Sequence, residues 1–132
     1  MTDQARSATI LERAVARGQQ GRLSPEAVLW VLAAGNVVIL NDGEIEPTGF
    51  PSSPLTVRKG EASFLAVFTH EDFSGLYAGA DRVVIAVPAF EILRRLPGSV
   101  GLVINPGSAL GLEVPSGGIQ AFTASLLETQ IP

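Results

Sequence analysis

A chain of 132 residues with 46% hydrophobic content is long enough for one domain that buries about two-thirds of its unfolded surface, with no disulfide or metal required. It contains no cysteine, which excludes disulfides, thiol catalysis, zinc–cysteine sites and iron–sulfur clusters. The formal charge is −4, and the nine basic residues are scattered, so no phosphate-tracking stripe forms and no nucleic-acid partner is expected.

No apolar run approaches the ~20 residues that span a bilayer. The N-terminus, MTDQARSATILERAVARG, lacks the apolar centre of a secretory signal. The expectation is a cytoplasmic protein with no membrane insertion.

Residues 3–17 read as an amphipathic helix. Ala8, Leu11 and Val15 fall on one face, Glu12, Arg13 and Arg17 fall on others, Asp3 is a candidate cap and Gly18 suits the end. After a polar link at 19–23, Ser24-Pro25-Glu26 is a helix start with Ser as N-cap and Pro at the first helical position. The following AVLWVLAA is apolar on every side, so this helix is either deeply buried or covered by another chain. Trp30 in its middle reads first as core packing and second as a ligand-stacking residue.

Val37 to Leu40 is a short β-branched strand that turns at Asn41-Asp42-Gly43. Residues 44–54 carry three prolines and form a loop. Leu55 to Arg58 is a further strand, Lys59-Gly60 a turn, and Ala62 to Phe68 an apolar run suited to a central strand. Thr69 is then a candidate N-cap for a short helix reaching Tyr77. Val83 to Val87 is another β-branched run. A helix starts at Pro88, with Phe90, Ile92, Leu93 and Leu96 apolar and Arg94 and Arg95 in its last turn.

Val100 to Ile104 is a buried strand that ends in Asn105-Pro106-Gly107, a tight polar turn. Leu112 to Val114 reads as an edge strand. Residues 116–127 read as a weak helix with Ile119, Phe122 and Leu126 or Leu127 inward, followed by a frayed tail at 128–132. Strands and helices alternate at short intervals. The fold class is α/β (with α+β as the variant), one mixed β-sheet with helices packed against it.

A single histidine limits the catalysis that can be built. His70 as a general base would need a nucleophile and an orienting carboxylate close in space, and Glu71 and Asp72 are adjacent only in sequence. Gly107-Ser108-Ala109-Leu110-Gly111 misplaces the serine of a nucleophile elbow by one position. Lys59, the only lysine, lies outside any phosphate-binding loop, and no Ca²⁺-type spacing of carboxylates occurs. No catalytic residue, metal site or cofactor is assigned. One candidate ligand site remains, a small-anion concavity formed by the backbone around Gly107 and Ser108 beside Thr69, His70 and Asn105. The plainer account is that Asn105 caps the turn and Ser108 hydrogen-bonds locally.

The segments FLAVFTHEDF, VPAFEILRRLPG and VGLVINPGSALGLEVP, in that order, resemble the SseB N-terminal domain family of bacteria. In that family a strand ends in a Phe-Thr-Ser-like signature and a later one in an Asn-Pro-Gly-like turn. Here Phe68-Thr69 and Asn105-Pro106-Gly107-Ser108 match, with His70 where a serine is common, and EAVLWVLAAGNVVIL matches the family's helix and strand. The resemblance covers residues 24–120. It implies the family named for enhanced serine sensitivity, not the unrelated type III secretion translocon protein that shares its letters. It carries no established reaction. Many relatives have a further C-terminal domain, and this chain stops near the end of the first.

The expected function is a non-enzymatic interaction or regulatory module, binding a protein partner or forming a homo-oligomer through the apolar helix at Val28, Trp30 and Val31. The alternative is a sensor or enzyme for an amino acid or other small anion, using the pocket near Thr69 and Asn105. A third reading is a component of a secretion or envelope assembly.

Overall fold

In the computed structural model, which describes residues 8–43, 51, 53–75, 77, 79 and 81–128, helix α1 (Ile10–Gln19) and helix α2 (Pro25–Ala33) precede the first strand. The chain continues through β1 (Asn36–Asp42), β2 (Thr56–Lys59), β3 (Ala62–Val67), a 3₁₀ turn (Glu71–Ser74) and β4 (Arg82–Pro88). Helix α3 (Ala89–Arg95), β5 (Val100–Ile104), β6 (Leu112–Val114) and α4 (Ser116–Glu128) complete it.

The class is α/β, as the alternation of elements implied, but the strands form two sheets. Four strands run in the order β2-β3-β5-β6, with β3 and β5 parallel and both outer pairs antiparallel. The other two, β1 and β4, form an antiparallel pair in the register Asn36↔Pro88 to Asp42↔Arg82. The sheets are stitched rather than merged. Val38 and Phe68 exchange both backbone hydrogen bonds at 2.8 Å, and Leu55 N–H donates to the Leu40 carbonyl while the Leu55 carbonyl accepts from Ala66. Hydrophobic runs show which segments are strands, but not where one ladder stops and the next begins.

Both faces of β3 and β5 are covered, which explains their continuous apolar sequences. Leu65, Val67, Leu102 and Ile104 face a cluster with Val28, Leu29 and Leu32 of α2, Val15 of α1 and Phe122 of α4. Phe64, Ala66 and Val103 face a second cluster with Leu40 and Phe68. Each large side chain removed from water contributes about 1.5–3 kcal/mol before the entropy of ordering is set against it.

Three local expectations change. Helix α1 is capped by Thr9, with a capping box closed by Glu12, while the segment 1–7 that includes Asp3 lies outside the described residues. Gly18 does not end the helix. A Cβ there would lie 3.0 Å from Val28 Cγ2, so glycine lets α1 cross α2 closely. The 3₁₀ turn after β3 is capped by His70, because the Thr69 hydroxyl is engaged elsewhere. The Ser24-Pro25 start of α2 and the strands β5 and β6 have the expected form. Most of the expected loop 44–54 and part of the tail fall outside the described residues.

Candidate functional site

The turn after β5 is where three distant segments meet. Asn105 adopts a left-handed conformation at φ 50, which Asn tolerates better than most side chains, and Gly107 follows at φ 77. This geometry turns the fully buried Asn105 side chain back into the fold. Its Oδ1 accepts the Thr69 N–H at 2.9 Å, and its Nδ2 donates to Thr69 Oγ1 at 3.0 Å and to the Leu110 carbonyl at 2.9 Å. Thr69 Oγ1 in turn donates to Glu12 Oε2 at 2.9 Å, while Glu12 Oε1 accepts the Thr9 N–H. A carboxylate that reads as solvent-facing on an amphipathic helix is thus buried, because it caps α1 and holds the end of β3 together.

Helix α1 grips the turn at its other end as well. Gln19 Nε2 donates to the carbonyls of Ala109 and Gly111 at 2.7 and 2.6 Å. Gly111 has no room for a side chain, since a Cβ would lie 3.0–3.2 Å from the carbonyl oxygens of Ile104, Asn105 and Ser108.

The residues expected to form an anion site divide between two depressions, Thr69 lying with His70 in one and Asn105 with Gly107 and Ser108 in the other. Thr69 and Asn105 are brought together, but their polar groups bind one another. His70 lies on a depression beside β4 with Glu71 and Val84, where its Nδ1 accepts the Asp72 N–H at 3.1 Å. Gly107 and Ser108 line a notch of about 420 Å³ at the end of β5, which also takes in Tyr77, Val57 and Lys59 of β2, and Glu113 of β6. Several backbone amides there are already engaged. Asn105 N–H binds the Val67 carbonyl, Ser108 N–H binds the Asn105 carbonyl, and Leu110 N–H binds Ser108 Oγ. Among the described residues, no three His, Asp or Glu side chains gather as they would around a metal ion.

The buried Glu12–Thr69–Asn105 chain, built on Phe68-Thr69 and Asn105-Pro106-Gly107, ties those two signatures into one structure. The family model for the SseB protein N-terminal domain matches residues 11–121. The chain belongs to this family. The match begins inside α1, the helix that carries Glu12, and so takes in the whole hydrogen-bonded chain. No curated protein and no solved structure matches. Among the described residues, no helix is long and apolar enough to cross a membrane.

The apolar helix α2 separates into an inner and an outer side. Val28 is fully buried against α1, so it is core and not surface, and Leu29 and Leu32 join it. An all-apolar helix gives no contrast from which its facing could be read. Trp30 remains 41% exposed while its ring meets Phe122 of α4 edge to face, with centroids 5.2 Å apart. It stands over a groove of about 640 Å³ between α1 and α2, lined by Ile10, Leu11, Val31, Ala34 and Thr69 among others. Ile10 is 79% exposed. The surface that sequence reasoning missed is therefore the α1 side of this groove, and its signal was Ile10 sitting directly after the Thr9 cap.

Proposed function

We propose that this SseB-family domain is a non-enzymatic interaction module that binds a protein partner through the α1–α2 groove. The observation that carries the reading is Trp30, a large aromatic left partly open, braced by Phe122 and facing the exposed Ile10 across an apolar groove. Half-exposed aromatics anchored in this way dominate the energetics of protein interfaces, because their area is large and few rotamers are lost on binding. The buried hydrogen-bonded chain supports the same reading, since its polar groups hold the scaffold rigid instead of meeting solvent. The fluorescence of Trp30, the only tryptophan, gives a direct test. Partners captured from native cells should shift its emission, and Trp30→Ala with Ile10→Ser should abolish capture while leaving the unfolding transition in place. Capture that survives both changes excludes the groove.

A second reading, a small-ligand sensor working from the notch, has one feature in its favour. The notch opens at the carboxyl end of β5, one of the two parallel strands, and such strand ends are where open α/β sheets commonly bind ligands. A thermal-shift screen over amino acids, nucleotides and organic acids tests it, because a ligand that binds only the native state raises apparent stability.

A further inference from the structure

We infer that the outer edge of β4 is a self-association surface on which a second copy of this chain pairs antiparallel, β4 against β4, extending the β1–β4 sheet across a two-fold axis. The inference is independent of the groove and uses a different element.

The hydrogen-bond parity of β1 shows what this edge offers. The backbone groups of Val38, Leu40 and Asp42 point away from β4, toward Phe68, Leu55 and Ser53. Val37, Ile39 and Asn41 therefore bond to Val87, Ile85 and Val83 of β4. The intervening residues, Val84 and Ala86, turn their N–H and C=O groups outward, and among the described residues these groups have no backbone partner.

The other sheet edges carry the features that discourage such pairing. Strand β2 has four residues and ends in Arg58-Lys59, and β6 has three, with Glu113 in its middle. Short length and charge are the usual protections of an open edge. Strand β4 is longer, and its charge and its proline are confined to its two ends, Arg82 and Pro88. It runs seven residues, RVVIAVP, without a bulge in its ladder, and Val83 and Val84 are 37% and 42% exposed.

The occupant follows from the strand's own symmetry. An antiparallel pairing centred on Ile85 places Val84 opposite Ala86 of the second copy, so that their outward groups close about four main-chain hydrogen bonds. Val83 then falls opposite Val87, and Ile85 faces its own counterpart across a non-hydrogen-bonded pair. Every central cross-strand pair is apolar. The one charged residue, Arg82, falls opposite Pro88, so the two arginines stay at opposite ends of the ladder. Each is also neutralised within its own copy, where Nε lies 3.0 Å from Asp42 Oδ1. Pro88 has its missing N–H on the outer side and ends the ladder there. The strand itself carries no acidic side chain, and Glu71 borders the depression beside Val84 and Ala86.

The experiment is sedimentation equilibrium of the full chain over a wide concentration range, alongside Val84→Pro. Proline at 84 removes an outward donor that β1 does not use, so far-UV circular dichroism should hold while the dimer is lost. If that variant fails to fold, Ala86→Lys places a charge on the same edge without touching the backbone. Register is read by single cysteines in this cysteine-free chain. Cα atoms of a non-hydrogen-bonded pair lie about 4.5 Å apart, within disulfide range. Ile85→Cys should therefore cross-link to itself on mild oxidation, and Val83→Cys should not. A strict monomer at every concentration, a dimer indifferent to Val84→Pro and Ala86→Lys, or cross-linking at 83 instead of 85 overturns the inference. Trp30→Ala should leave self-association unchanged, so failure of the groove reading and failure of this one are separable.

Discussion

Asn105 holds Thr69 at two points, accepting its N–H at 2.9 Å and donating to its hydroxyl at 3.0 Å. The two residues are thirty-six positions apart in the chain and are locked as closely as a base pair. Asn105→Ala would leave the Thr69 N–H and the Leu110 carbonyl without a partner inside the fold. It would also force a Cβ residue less tolerant than Asn into a left-handed conformation. The expected loss, read by urea unfolding, is on the order of 2–4 kcal/mol. Asn105→Gly relieves the backbone but not the lost bonds, and should fall between wild type and Ala.

The Thr69 hydroxyl should be worth measuring separately from its backbone. Thr69→Val keeps the shape and removes the donor to Glu12, costing about 1–2 kcal/mol, whereas Thr69→Ser keeps the hydroxyl and should cost less. A cycle with Glu12→Ala subtracts the loss of the α1 capping box. A coupling above about 0.5 kcal/mol is expected, because the two groups touch.

Gly101 in β5 has a steric role. A Cβ there would sit 2.6 Å from the Val114 carbonyl oxygen and 2.8 Å from the Phe64 ring. Backbone on the neighbouring strand cannot swing aside, so Gly101→Ala should destabilise by about 1–3 kcal/mol and loosen the β5–β6 pairing. Amide exchange in β6 should report the change first.

Glu91 gives the expected pH dependence. A hydrogen bond from Arg94, with the nearby charge of Arg95, holds its carboxyl below the ordinary value of 4.5. A carboxyl lowered on folding adds stability above its unfolded pKa, and the gain is lost as pH falls through its folded pKa. Thermal midpoints of wild type and Glu91→Gln should therefore differ slightly at neutral pH and converge in acid. The pair faces solvent, so added salt should shrink the difference. A gap that widens toward acid would contradict this sign.

How far the fold was legible depended on whether local signals had local causes. Ser24-Pro25, the β-branched runs and the Asn-Pro-Gly turn act through their own backbone, and each appears where its chemistry puts it. Glu12 and Thr69 could not be read in this way. A glutamate three places after a threonine signals a capping box, but nothing local says that its second oxygen reaches residue 69. The threonine looked like a cap until a tertiary partner claimed it. Gly18 looked like a terminator because glycine often is one, and its actual cause is a neighbour ten positions away, Val28. At the candidate site, the sequence brought Thr69 and Asn105 together through their shared family pattern. The division of His70 and Ser108 onto separate surfaces depended on the direction in which the turn folds back. Val28 and Trp30 lie two residues apart on a helix with no polar face, so only packing distinguishes the buried one from the open one.

The buried chain of contacts from α1 to the β5 turn has a kinetic consequence. It joins positions 12, 69 and 105, so closing it requires two long loops to be already shut, and such contacts form late because the entropy of closure precedes their reward. Substitutions at Thr69 should then steepen the escape from the native state and leave the folding limb of the chevron nearly unmoved. Stopped-flow kinetics of Thr69→Val against wild type would show it. On this account the family's two signatures act as a latch, setting how long the domain stays folded more than how fast it gets there.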